Sequence, residues 1–462
     1  IISLLLSVGA IYILYKKLAV SQIAAIIAVL VLSFSNAFID YSTSGLENPL
    51  SYFLLALFLW MFFDYQGKNR MLLLSLLASL AILNRVDTGA FYIFPLLYEL
   101  VRQRSFKSLG WAILGQLPFI LWEIFSVIYY GFPFPNTAYA KLSAGITHEQ
   151  YYQWASYYYQ FTLNNDPITF LGIIAGLISV FRIDDWRARM VALGIPVYLL
   201  YIVYIGGDFM GGRYFTLPLL CAMILFSRLP IQGLKLAKAV VVLGAIACAA
   251  LMATYATPIA HNIFNINAAK FSSGVADERL YYGRNSELAY LKDRLVEQFT
   301  LNRPQDLKWP SFPWRLEGER MKGLAESGKQ SVFVTGAIGY KGYYAGPKVF
   351  IIDYFTLSDP LLARLPVVSS ADWRVGHLPR TVPVGYVESI ESGQNRFVDP
   401  DLALLYDKLR LITRGDFFST ERLKTILEMN LGKYNHLINA DYYRKQPRAE
   451  KYLPSKYWKD EY

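Results

Sequence analysis

About ten apolar runs crowd the first 256 of the chain's 462 residues; some reach the roughly 20 residues that a helix needs to cross a bilayer, and several are shorter. They cover approximately 1–15, 19–38, 50–63, 71–84, 88–101, 109–130, 168–182, 189–205, 214–227 and 236–256. A chain that is 54% hydrophobic and only 17% charged, with runs this frequent, is excluded from the ordinary soluble classes. The pattern predicts a polytopic α-helical membrane protein over 1–256.

The net charge of +10 would suit a nucleic-acid binder if it were spread over a surface. Its placement argues against nucleic acid. Alternate loops hold Lys16 and Lys17, Lys68 and Arg70, Arg102, Arg104 and Lys107, Arg182, Arg187 and Arg189, then Arg228, Lys235 and Lys238. The intervening loops hold Asp40, Glu47, Asp87, Glu149, Asp166 and Asp208. Cations recurring on one side of successive spans follow the positive-inside rule. They place residue 1 and everything after Pro258 outside the cytoplasm.

From about residue 257 the composition changes. Long apolar runs stop and charge density rises. Residues 284–299 and 400–413 have helical periodicity, while SVFVTG (331–336) and KVFIID (348–353) read as short buried strands. Residues 257–445 are therefore expected to form an extracytoplasmic α/β domain, and 446–462 a flexible tail. YYQWASYYYQF (151–161) reads as an interfacial helix or as an amphipathic cover on the bundle. Cys221 and Cys248 fall inside predicted spans and read as small apolar fillers, and the four histidines lack metal-ligand spacing. The first residue is an Ile inside an apolar run, so the sequence is expected to lack its natural N-terminus.

Polar groups interrupt the apolar pattern on the predicted outer side, where charge is expensive and usually functional. Glu47 precedes Pro49, as a helix start or as a carboxylate for sugar hydroxyls. Arg85 and Asp87 occupy a break between two runs, either as an ion pair closing a hairpin or as an anion site, for which the planar guanidinium fork is suited. FPFPNTAYAK offers Asn136 and Lys141, on a rigid loop or facing a polar ligand. GGDFMGGR (206–213) offers Asp208 and Arg213, as a structural pair or as ligands for a sugar and a phosphate. Tyr344 and His377 lie in the Gly- and Tyr-rich stretches of the C-terminal part, and a Tyr ring suits a sugar face. One carboxylate at Asp208 is too little to claim a metal site. A divalent cation stays open as a cofactor, and no metal ligands are assigned.

In this order, TSGLE (43–47), NRVDTG (84–89), YGFPFPNTAYAK (130–141) and GGDFMGGR resemble a bacterial family of C-type membrane glycosyltransferases, that of the mycobacterial terminal β-1,2-arabinofuranosyltransferases. The resemblance covers most of the membrane part. It implies a C-type bundle in the bacterial cytoplasmic membrane, multi-pass, with its C-terminal domain on the periplasmic face. It implies a polyprenyl-phosphate sugar as donor, with arabinofuranose as the sugar of the relatives, and a cell-envelope glycan or other acceptor on the outer face. Arg85, Lys141 and Arg213 would then bind the donor phosphate. Glu47, Asp87, Asn136, Asp208, Tyr344 and His377 would bind sugar or acceptor. Such enzymes carry their main catalytic carboxylate on the first outer loop, which would lie upstream of Ile1, leaving Asp208 a secondary candidate. The rival expectations are a transporter or flippase for an envelope precursor, which should show broken helices and repeats, and a non-catalytic envelope-assembly protein.

Overall fold

The computed structural model describes residues 1–142, 145–231, 244, 271–278, 313–336, 338–368 and 376–445. It divides into two compact units, residues 1–122 with 148–280, and residues 123–147 with 281–462. The expected helices 236–256 and 284–299, Cys248 and the expected tail 446–462 fall outside the described residues, residue 244 aside.

The first unit is a helical bundle. Helices α1 (Ile2–Ile13), α2 (Gln22–Phe34), α3 (Asn36–Ser42), α4 (Asn48–Asp64), α5 (Arg70–Asn84), α6 (Ala90–Gln103) and α7 (Phe106–Gly115) follow the apolar runs. Helix α8 (Leu117–Tyr129) begins in this unit and ends in the other. After α9 (Asn136–Leu142) in the second unit, the bundle resumes with α10 (His148–Asn165), α11 (Pro167–Ser179), α12 (Trp186–Ile205) and α13 (Thr216–Ser227). Of the described helices, α12 alone is long and apolar enough to cross a membrane unaided. Counting the bent pairs α2–α3, α7–α8 and α10–α11 as one span each raises the number to four. The chain is therefore mostly helical and membrane-associated.

The bends have local causes. Ser35 adopts an extended conformation that ends α2, and its hydroxyl caps α3 at Phe38 N (3.0 Å), so the two helices meet at 77°. Asp166 breaks α10 from α11 at 99°. Its Oδ2 accepts Ala37 N (2.9 Å), Thr169 Oγ1 (2.7 Å) and Ser35 Oγ (3.2 Å), which locks one broken pair onto the other. The stretch expected to be an interfacial helix or a cover turns one face inward, burying Tyr151, Trp154, Tyr158 and Phe161. Helix α13, buried nearly throughout and including Cys221, is the axis of the core.

The second unit contains helix α9, then α14 (Pro313–Glu326), strand β3 (Val332–Thr335), α15 (Ile338–Ala345) and strand β4 (Phe350–Asp353). Strands β1 (Phe271–Ser272) and β2 (Val275–Ala276) form a small antiparallel hairpin in the first unit. β3 and β4 pair in parallel, Val332 opposite Phe350, with α15 as the crossover, which is the expected α/β grammar. Helices α16 (Tyr386–Ser392), α17 (Pro400–Arg414), α18 (Thr420–Asn430) and α19 (Ala440–Lys445) complete the unit. Their core joins Ile352, Leu361, Leu365, Leu402, Leu409 and Ile412. Arg380 is buried yet satisfied, donating to the carbonyls of Leu365, Leu378 and Ala140.

Asp359 in this core makes a pH prediction. Its Oδ1 accepts Leu361 N (3.0 Å) and Leu362 N (2.8 Å), and Tyr386 Oη donates to Oδ2 (2.8 Å). Burial outweighs these bonds and pushes the carboxyl up to about 6. Burial also raises Asp353. The folded state thus binds a proton that the unfolded chain releases near its ordinary 3.8. That stability is present in full below the unfolded value and is lost as pH rises through about 6, on the order of 3 kcal/mol for Asp359. The unfolding midpoint of the purified protein should fall between pH 4 and pH 7, and Asp359→Asn should remove most of that slope. An identical slope in the variant would refute the assignment.

Candidate functional site

Three helix junctions of the first unit deliver charge to one place. Glu47 ends the Thr43–Glu47 loop and precedes α4, whose Pro49 sits in the first turn. Arg85 caps α5, and Asp87 follows in a 3-10 turn before α6. The third junction runs from Gly206, the left-handed cap of α12, to Arg213 before α13. It is fixed from the side by β2: Gly211 N donates to Ala276 O (2.9 Å) and Ala276 N to Phe209 O (2.7 Å).

Glu47 Oε1 bridges two guanidiniums, at 3.0 Å from Arg85 Nη1 and 2.5 Å from Arg213 Nη2. Arg85 also forks onto Asp87, Nε to Oδ1 at 2.9 Å with Nη2 on Oδ2. Arg213 Nη1 reaches Asp208 Oδ2 at 3.1 Å. Tyr198 Oη donates to Asp87 Oδ2 (3.0 Å), and Arg85 lies over the Tyr214 ring at 4.7 Å, a cation–π distance. Tyr158 Oη accepts Tyr214 N (3.0 Å). Formally, two cations face three carboxylates, one negative charge in excess.

Exposure separates the roles. Asp208 is 0% exposed, and its oxygens are taken by Arg213 and by its neighbour's backbone, Phe209 N at 2.9 Å. Glu47 is the most open member, its side chain 22% exposed. Burial alone would raise the Glu47 carboxyl, but Arg213 and Arg85 together hold it below the usual glutamate value. Beside the guanidiniums, Asn48, Ser51, Thr88, Tyr198 and Thr216 line a cavity of about 10 Å³, the scale of a single water. The buried Arg213 Nε and Asn48 Oδ1 make no protein hydrogen bond there, so the cluster keeps polar capacity for a ligand.

The structure therefore brings together Glu47, Arg85, Asp87, Asp208 and Arg213. Asn136, Lys141, Tyr344 and His377 belong to the second unit. Asn136 Nδ2 donates to the carbonyls of Thr356 (2.8 Å) and Asp359 (3.1 Å), a bracing contact. Tyr344 carries Arg315 over its ring at 5.2 Å, and His377 stands edge-on to Phe355 at 5.2 Å. Lys141 is half-buried on α9. Among the described residues no group of three or more metal-ligating side chains occurs. Sequence reading did not single out Asn48, Tyr158, Tyr198 and Tyr214. Tyr214 directly follows Arg213, which was a usable signal, whereas Tyr198 is one aromatic among many in an apolar helix.

No family model and no solved structure matches the chain. Among curated proteins it is similar to the terminal β-(1→2)-arabinofuranosyltransferase of Mycobacterium tuberculosis, 25% identical over 409 residues, covering 73% of this chain and 63% of that protein. The chain thus spans less than two thirds of that relative's length. The likeness is a distant link to a protein named as a glycosyltransferase.

Proposed function

We propose that the protein is a membrane glycosyltransferase of the C type, moving a sugar from a polyprenyl-phosphate donor to a cell-envelope glycan at the outer face of the cytoplasmic membrane. The observation that carries the reading is the pair of guanidiniums bridged by one carboxylate at the ends of apolar helices. A lipid-linked phosphate needs cations at membrane depth, held by fixed partners, and Asp87 and Asp208 supply that rigidity to Arg85 and Arg213. Glu47 occupies the position of the anion. When the donor phosphate takes its place, Glu47 turns to the sugar hydroxyls. A carboxylate base takes the proton of the acceptor hydroxyl, the acceptor oxygen forms its bond to the anomeric carbon, and the bond from that carbon to the phosphate breaks. The departing oxygen keeps the electron pair, stabilised by Arg85 and Arg213. Asp208, sealed behind Arg213, is a positioning residue. The second unit receives the acceptor, and arabinofuranose is the first sugar to test, because the curated relative is named for it.

One observation favours a transporter as the second reading: the bent pairs α2–α3 and α10–α11, since discontinuous helices frame transporter sites. The full-length protein in proteoliposomes, given defined polyprenyl-phosphate sugars and a glycan acceptor, decides between them. Sugar-dependent release of polyprenyl phosphate supports the transferase. Movement of the lipid-linked sugar between leaflets without its cleavage overturns it.

A further inference from the structure

The second unit displays an apolar stripe that its own core does not use. Helix α18 buries Arg422, Thr425, Ile426 and Met429, the spacing of one helical face. Leu423, Leu427 and Leu431 follow the opposite i, i+4, i+8 line. With Phe417 and Phe418 just before the helix, these side chains are 40–80% exposed. Five large apolar groups within fifteen residues exceed the scattered exposure of an ordinary water-facing helix.

What lies beside the stripe says what covers it. Phe417 stacks on Tyr129, the last residue of α8, at 5.4 Å and 22°. Arg422 fixes that join, donating to the carbonyls of Tyr129 (3.0 Å), Ile412 (2.8 Å) and Phe417 (2.9 Å). Asn430 Nδ2 adds a bond to Gly131 O (2.8 Å). Helix α8 is the second half of an apolar pair that qualifies as a bent membrane span. Its end exposes Ile124, Phe125, Tyr129 and Tyr130, and aromatic residues of this kind belong at a membrane–water boundary. The stripe thus continues the exposed apolar end of α8, and it is flanked by the exposed cations Arg414, Lys424 and Lys433, the last paired with Glu428, and by the exposed Asp416 and Glu421.

We infer that α18, with its Phe417–Phe418 lead-in, lies on the bilayer surface with its leucine stripe among the acyl chains and its lysines at the headgroups, so that the second unit has a membrane foothold of its own. The inference is independent of the transferase reading.

The test uses the full-length protein in nanodiscs containing anionic lipid, with Cys221 and Cys248 replaced by Ala. Leu427→Cys and Leu431→Cys each carry an environment-sensitive NBD label, with Asp401→Cys on the exposed face of α17 as reference. Labels at 427 and 431 should emit blue-shifted and be quenched at least about twofold more than the reference by lipids bearing a doxyl group near the headgroup. Water-like emission without quenching overturns the inference. So does blue-shifted emission that doxyl lipid fails to quench, because a second copy or another protein would then cover the stripe. Phe418→Cys provides an independent position should a helix variant fail to fold.

Discussion

Arg213→Ala is expected to lower sugar transfer from a polyprenyl-phosphate donor by at least about 100-fold, the usual loss when one preorganised donor to a developing anion is removed. Alanine also strands Asp208, which is 0% exposed and depends on Arg213 for its countercharge. An uncompensated buried carboxylate costs about 3–5 kcal/mol, so the melting temperature should fall with the activity. Arg213→Lys separates the two effects. A lysine keeps a positive charge near Asp208 but presents a point charge where the guanidinium reaches two partners at once, Glu47 and Asp208. The lysine variant should melt within a few degrees of the parent yet lose about tenfold or more in turnover. Arg189→Ala, which only lifts a cation from the face of Trp186 at 4.4 Å, should change neither. Polyprenyl-phosphate release in proteoliposomes and thermal melting in detergent give both readings, and parental turnover in Arg213→Lys would remove Arg213 from the phosphate site.

The charged cluster was legible in the sequence because carboxylates and guanidiniums in the short breaks between apolar runs stand out. Glu47, Arg85, Asp87, Asp208 and Arg213 each fall in such a break, and these are the residues that meet. What the sequence could not show was their pairing. Nothing in residues 42–50 says that Glu47 serves both arginines, because that depends on how α4, α5 and α13 pack. The four remaining candidates lie in the second unit. Asn136 sits in a conspicuous FPFPN turn, but the conspicuousness comes from prolines that hold the loop extended, and its amide is spent on the carbonyls of Thr356 and Asp359. The strands at 332–335 and 350–353 were readable from short β-branched runs bounded by glycine and proline. The bends at Ser35 and Asp166 were not: each is a single polar residue, and besides its local cap at Phe38 or Thr169 it is held by a partner over 100 positions away.

Gly207→Ala is expected to disable the cluster without touching a charged residue. Gly207 has φ +76°, and so does the backbone need a left-handed residue at Gly206, φ +79°. This double turn ends α12, with Gly207 N returning to Ile202 O at 2.9 Å, and carries the chain back so that Asp208 lies against Arg213. A Cβ at 207 would stand 2.6 Å from Tyr158 Cβ and 2.7 Å from Cγ. Tyr158 cannot retreat: it is fully buried, stacks on Phe215 at 5.1 Å and accepts Tyr214 N. The loop must therefore move. Left-handed strain of about 1–2 kcal/mol and overlap of about 1–3 kcal/mol together put the loss of stability at about 2–5 kcal/mol. A displacement of about 1 Å at Asp208 and Arg213 is enough to reduce turnover about 100-fold. Gly328→Ala isolates the backbone component, because Gly328 has φ +71° but nothing near its Cβ position. That control should lower the melting temperature slightly and leave transfer intact. Should Gly207→Ala behave like Gly328→Ala, the contact with Tyr158 does not hold the loop, and the rigidity assigned to Arg213 must come from elsewhere in the bundle.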